Sequence, residues 1–149
     1  MKISSVTVTY NPEVGLLVDQ LNSLKDQVDL LIVVDNGSEN SSHIEDIVKN
    51  YQAILIKLDI NKGLSYAQNI GVSRAIDDGS QYILLLDQDS VLQNSFVKNM
   101  FDVYVDSGVG ILGPVFYDPE NMELYKGTNY IGPFIRTTPI ERITDVTYV

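Results

Sequence analysis

The chain alternates two hydrophobic rhythms. Ile3 to Thr9 mixes β-branched and small polar residues in the manner of a strand and closes on Tyr10-Asn11-Pro12, a turn with Pro near a helix start. Leu16, Leu17, Leu21 and Leu24 then fall at helical spacing, with Glu13 expected in the first turn. Leu30 to Val34 is a continuous apolar run ending in Asp35-Asn36-Gly37-Ser38, and Ile44, Ile47, Val48 and Tyr51 mark a second helix. Ala53 to Leu58 reads as a third strand, and Asn61-Lys62-Gly63 as a loop. Leu64, Ala67, Gly71, Ala75 and Ile76 give a third helix ending before Asp78-Gly79. Tyr82 to Leu86 is again an uninterrupted apolar strand, and Phe96, Met100, Val103 and Tyr104 predict a fourth helix. Four strand–helix alternations of crossover length predict an α/β chain. Its sheet should be Rossmann-like, doubly wound and mostly parallel, with helices on both faces. Gly108 to Tyr130 changes character: it is rich in Gly, Tyr and Pro, and Ile111-Leu112 and Val115-Phe116-Tyr117 look strand-like. This stretch predicts an antiparallel edge or excursion. Ile140 to Val149 is β-prone and reads as if more chain should follow.

Composition narrows the class. With 149 residues, 44% of them hydrophobic, one ordinary core is expected. Twenty acids against ten bases leave a formal net charge of -10, which opposes binding to nucleic acid. A small anionic ligand remains compatible with that charge if a dication reverses the local field. No run approaches the ~18 apolar residues of a membrane span, and the absence of cysteine removes disulfide and thiol chemistry and fits the cytoplasm.

The candidate chemistry lies where strands end, because ligands of open α/β sheets gather beyond the carboxyl ends of the strands. Tyr10-Asn11, Asp35-Asn36 and the pair Asp87 and Asp89 all follow strands. In a strand order beginning 3-2-1-4 these ends would meet in one crevice. If the chain stays extended past Leu86, Asp87 and Asp89 point the same way and offer two hard oxygen donors to one Mg²⁺ or Mn²⁺. Asp35 is open to two roles: accepting hydrogen bonds from a nucleotide, or turning the chain before a helix.

Four blocks taken in order carry a family resemblance: Thr7-Val8-Thr9-Tyr10-Asn11, Val33-Val34-Asp35-Asn36-Gly37-Ser38, Asn61-Lys62-Gly63-Leu64 with Ala67-Gln68-Asn69-Ile70-Gly71, and Leu84-Leu85-Leu86-Asp87-Gln88-Asp89-Ser90. Together they resemble the nucleotide-sugar glycosyltransferases of the large inverting family 2, the rhamnosyltransferase branch above all. The resemblance implies a GT-A fold and a divalent metal, Mn²⁺ or Mg²⁺, held chiefly by Asp89 with Asp87 at the metal and the ribose or sugar side. It assigns Thr9, Tyr10, Asn11, Asp35, Gly63, Asn69, Asp87 and Gln88 to the nucleotide sugar, with Tyr10 and Asp35 lining the base pocket. The implied donor is dTDP-rhamnose or a UDP-sugar, and the implied acceptor is a carbohydrate hydroxyl. It also divides the chain into a nucleotide-sugar-binding βα domain over residues 1–114 and the antiparallel edge and start of an acceptor-side region over residues 115–149. In this family the catalytic base lies well downstream of the Asp-x-Asp segment, so it is expected beyond residue 149, and the chain reads as the donor-binding part of a longer enzyme. Glu141 and Asp145 do not match it in spacing or context. Gln68 stands where many polysaccharide-forming members carry Arg. Cytoplasmic residence, with peripheral membrane contact when full length, is implied by resemblance, and self-association stays open.

Three other motifs compete. Leu84 to Leu92 also resembles the opening strand of haloacid-dehalogenase-like phosphatases, with Asp87 as nucleophile, but three βα units precede it and no later acidic pair follows Asp89. Gly108 to Gly113 spells a dinucleotide fingerprint but follows a helix and meets Pro114. His43, the one histidine, sits among helical positions with no serine-protease-like company. A nucleotide-binding module without chemistry is the non-enzyme alternative.

Overall fold

A computed structural model describes residues 1–107, 110–114, 127–131 and 134–138. The elements run β1 (Ile3–Thr9), α1 (Val14–Leu24), β2 (Leu30–Asp35), α2 (Ser41–Asn50), β3 (Ile54–Lys57), α3 (Leu64–Asp77), β4 (Tyr82–Leu86), α4 (Phe96–Ser107), β5 (Gly127–Ile131) and β6 (Phe134–Thr138). β1 to β4 form a parallel sheet in the order β3-β2-β1-β4, the order expected from the sequence. The chain divides into two compact units, Met1–Lys98 and Asn99–Val149, with the division inside α4.

Strand alternation sorts the Met1–Lys98 unit into two apolar layers. Leu31, Val33 and Leu86 turn to one face and pack with Leu17, Leu21 and Leu24 of α1 and Ile44, Ile47 and Val48 of α2. Val6, Val8, Ile32 and Val34 turn to the other face and pack with Ala67 and Ala75 of α3. The small residues of α3 have a physical purpose. A Cβ on Gly71 would stand 2.4 Å from Val6 Cγ1 and 3.1 Å from Val34 Cγ2, so the helix backbone lies almost on the sheet. Gly71→Ala would gain about 1 kcal/mol of helix propensity, but overpacking against a valine pinned in the core costs about 1–3 kcal/mol. The expected outcome is net destabilisation, read as a lower urea midpoint with an unchanged slope. A midpoint at or above that of the parent chain would contradict this packing.

Some expectations at element ends are corrected. Glu13 is the N-cap of α1 rather than a first-turn residue, and it makes no side-chain cap hydrogen bond. Leu64 and Ile76, at the two ends of the α3 pattern, are more than half exposed: Leu64 opens on the loops where the helix starts, and Ile76 turns away from the Ala67, Gly71 and Ala75 stripe that meets the sheet. In the Asn99–Val149 unit, residues 111–114 form no strand, contrary to the reading of Ile111-Leu112. The antiparallel pair is instead β5 with β6, running from Gly127 opposite Thr138 to Ile131 opposite Phe134, a two-stranded sheet of its own. Val115-Phe116-Tyr117, Glu141, Asp145 and Ile140 to Val149 lie outside the described residues.

The paired charges of the sheet unit sit on its exterior. Glu45 on α2 receives hydrogen bonds from Lys57 of β3 and from Lys49, and these hold its carboxyl down at about 2. Its folded pKa lies below its ordinary value of 4.5. The group therefore contributes stability above that ordinary value and loses it as pH falls toward 2. Because the trio is solvent-exposed, the contribution is small.

Candidate functional site

The four parallel strands all end at one edge of the sheet, and short polar bonds tie the loops that leave them. Past β1, the Tyr10 N–H donates to Gln88 Oε1 at 2.9 Å, which joins the first loop to the one after β4. Asn11, whose φ of 47° is in the left-handed region, receives the Glu39 N–H on its Oδ1 and gives its own N–H to Ser38 Oγ, both at 2.8 Å. That joins the first loop to the second. Asn36 accepts the Lys62 N–H at 2.9 Å and donates to Asn61 Oδ1 at 3.1 Å, which joins the second loop to the third. Asn61 Oδ1 also accepts the Gly63 N–H at 2.9 Å, shaping the turn that starts α3. Each of the four loops at this edge is thereby bonded to a neighbour.

Between these loops lies an open pocket of about 430 Å³ lined by Val8, Tyr10, Asn36, Asn61, Leu64, Asp87, Gln88 and Asp89. Tyr10 and Leu64 are each about half exposed and bring apolar surface; Asn36 and Asn61 bring amides; Asp87 and Asp89 bring carboxylates. α3 begins at this pocket, at Leu64, with Gly63 as its N-cap at φ 87°, no side-chain cap hydrogen bond and no acid in its first turn. Its first N–H groups, which a helix cannot satisfy internally, and its positive dipole end favour an anion.

The acid pair sits on a turn. β4 stops at Leu86, and the Ser90 N–H bonds back to the Asp87 carbonyl at 3.2 Å, so Asp87 to Ser90 folds over on itself. The expectation of an extended segment presenting Asp87 and Asp89 by strand alternation is corrected. Both carboxylates nevertheless line the same pocket and are exposed. They are oxygen donors suited to a hard dication, and no cluster of three or more His, Cys, Asp or Glu is present among the described residues. Two carboxylates leave most of an octahedral shell to phosphate oxygens and water, which is how Mg²⁺ is commonly held, so the donor set fits such an ion.

Other residues expected at the site are not among those that line this pocket. Asp35 is 1% exposed and does not line the pocket. It ends β2 in register with Thr9, and alternation turns both to the α1 side with Val33, whereas the pocket opens on the face of Val8 and Val34. Asp35 Oδ1 accepts the Ser38 N–H at 3.1 Å, the turn-forming role, while Oδ2 is buried without a partner among the described residues. Asn36, one residue on, takes the pocket-facing place. Thr9 is wholly buried; Gly63 shapes the α3 start; Asn69 is exposed on α3 and away from the lining. The sequence reading names Asn36 only together with Asp35 at the end of the second strand, and gives Asn61 and Leu64 no lining role. Continuing the Val8 and Val34 parity by two residues lands on Tyr10 and Asn36, a signal that can be used only once the face carrying α3 is known. His43 is exposed on α2, outside the pocket.

Comparison with known proteins matches residues 4–147 to the family described as glycosyl transferase family 2. A curated relative, the dTDP-rhamnosyl transferase RfbF of Shigella flexneri, is 36% identical over 125 residues, covering 83% of this chain and 41% of the relative. The chain thus spans well under half of that protein. Among solved structures, S. aureus TarS 1-349 in complex with UDP-GlcNAc superposes with a TM-score of 0.59 at 24% identity, over 72% of this chain and 32% of the other. A 4-diphosphocytidyl-2C-methyl-D-erythritol synthase gives a TM-score of 0.55 at 16% identity, over 92% of this chain and 67% of its own. These structural likenesses show a shared α/β fold.

Proposed function

The chain belongs to glycosyl transferase family 2, and from that premise we propose that its Met1–Lys98 unit binds the donor of an inverting sugar transfer. The donor is a nucleoside diphosphate sugar, dTDP-rhamnose first and a UDP-sugar second. The observation that carries this reading is the gathering of Tyr10, Asn36, Asn61 and Leu64 with Asp87, Gln88 and Asp89 around one pocket at the carboxyl edge of the sheet. An aromatic ring and paired amides suit a nucleobase, which offers a π face and a mixed edge of donors and acceptors. The rhamnosyl donor is supported by the name of the Shigella relative, and UDP-sugar binding by the S. aureus complexes.

In this reading Asp89, with Asp87, would hold Mn²⁺ or Mg²⁺. When bound, such an ion supplies Lewis-acid neutralisation of the charge that develops on the departing nucleoside diphosphate. Tyr10 and Leu64 cover the base, Asn36 and Asn61 orient it, and the uncapped start of α3 adds N–H dipoles toward the phosphates. The carbohydrate hydroxyl attacks the anomeric carbon in line as the bond from that carbon to the diphosphate oxygen breaks, which inverts the centre. The hydroxyl proton passes to a base proposed to reside in the acceptor-binding part of the whole protein.

Amide shift mapping with dTDP and Mg²⁺ tests the location. Perturbations are expected at residues 10–11, 36–38, 61–64 and 87–90. A map centred on the exposed α2–β3 edge would place the ligand elsewhere and contradict the reading.

A further inference from the structure

Gln20 is fully buried on the face of α1 that also buries Leu17, Leu21 and Leu24. An amide there is costly to desolvate unless its polar atoms find partners. Its Nε2 donates to the Asp87 backbone carbonyl, the same oxygen that accepts the Ser90 N–H and closes the acid turn. Its Oε1 is buried with no hydrogen-bond partner among the described residues. A residue kept for packing alone would be better replaced by an apolar one of similar volume, since the orphan acceptor would then disappear.

The rest of the α1 edge shows the same pattern. Ser23 Oγ accepts the Leu92 N–H at 3.1 Å. Gln27, just past the end of α1, donates to the Gln93 carbonyl at 3.0 Å and accepts the Val97 N–H at 3.2 Å. Gln20 and Ser23 lie on one face of α1 and Gln27 follows in the turn just past its end, so the three grip the backbone of residues 87–97 like successive rungs. Gln20 is the rung at the carboxylates. From the other side the turn is held through Gln88, which accepts the Tyr10 N–H.

We propose that Gln20 is a positioning residue for the acid turn, fixing the Asp87 backbone so that the two carboxylates meet a diphosphate-bound dication in one geometry. This rests on the donor-site reading above. Such support acts through the ligand rather than on it, and outer partners of metal ligands typically change metal affinity by about 10–100-fold.

The test compares the parent chain with Gln20→Met, Gln20→Glu, Ser23→Ala and Asp89→Ala by calorimetric titration of dTDP with and without Mn²⁺, each with its Tm. Gln20→Met keeps the volume, removes the donor and also removes the orphan acceptor. It is expected to cut the Mn²⁺ enhancement of dTDP affinity by about tenfold or more. Metal-free affinity should be unchanged, and Tm should stay within about 4 °C of the parent. Gln20→Glu, buried and therefore held as the neutral acid, still offers an O–H to the Asp87 carbonyl and should retain more of the enhancement than Gln20→Met. Ser23→Ala should lower Tm and keep the enhancement, because its rung lies beyond the turn. Full enhancement in Gln20→Met, equal losses with and without metal, or unfolding of both Gln20 variants would overturn the proposal by showing a packing role only. If the parent chain itself shows no enhancement and matches Asp89→Ala, the donor-site reading falls and takes this proposal with it.

Discussion

Replacing Asp89 with alanine is expected to remove the metal dependence of nucleoside diphosphate binding while leaving the fold intact. The side chain is exposed on a turn whose hydrogen bonds run through backbone atoms, Gln88 and Gln20, so little packing is lost. Its carboxylate is one of two in the pocket, and among the described residues no third acid gathers beside them to take its place. Losing a direct ligand exceeds losing an outer partner, so a fall on the order of 100-fold in Mn²⁺-assisted affinity is expected. Thermal unfolding should coincide with that of the parent chain. Equal Mn²⁺-assisted affinities in the two proteins would remove Asp89 from the site.

Gly37→Ala is expected to be the most damaging small change in the loops. Gly37 has φ 83°, where a Cβ is strained, and that Cβ would lie 2.6 Å from the Ile60 carbonyl carbon and 2.7 Å from the Asn61 nitrogen. The obstacle is backbone, not a side chain that can rotate away. Left-handed strain of about 1–2 kcal/mol adds to an overpacking cost of about 1–3 kcal/mol. Relief requires the 60–63 segment to move, and Asn61 and its bonds to Asn36 and Gly63 move with it. Two readouts should therefore change together: a lower urea midpoint and weaker dTDP binding at temperatures where the protein is still folded. Loss of stability with unchanged affinity would show that the Asn36–Asn61 pair does not shape the pocket. Gly63→Ala is a useful contrast, since its φ of 87° with ψ 155° is also strained for alanine but no described atom lies within 4 Å of the added Cβ.

Much of this was legible from the sequence because the sheet unit is built from strong periodic signals. Leu17, Leu21 and Leu24, and Ile44, Ile47 and Val48, are buried as their spacing implied, and the strands lie where the apolar runs lie. The strand order followed because crossover-length βα units and their handedness leave few arrangements. What was not legible depended on strand parity at its last residue. Asp35 and Asn36 are both polar and adjacent, and only the register with Thr9 decides which of them turns toward α3. The Asp87 turn was missed for a related reason: hydrophobic pattern says where β4 ends but not how the next polar residues fold. Gln20 gave no signal at all, since a glutamine at a buried helical position reads as a break in the stripe until its partner, a backbone carbonyl 67 residues away, is seen. β6 lies inside the stretch expected to hold an antiparallel edge but has no bounds in the sequence, because Phe134 to Thr138 has neither the apolar run nor the clean alternation that marks the parallel strands.

The pocket holding Tyr10, Asn36 and Asp89 is expected to take a nucleoside diphosphate together with a divalent ion. Calorimetric titration of dTDP and of UDP into the chain, with and without Mn²⁺, measures this. Saturable binding that tightens with Mn²⁺, with dTDP the tighter of the two, is the result expected. Heats no larger than dilution for both nucleotides in the presence of Mn²⁺, or affinities that the metal leaves unchanged, would contradict it.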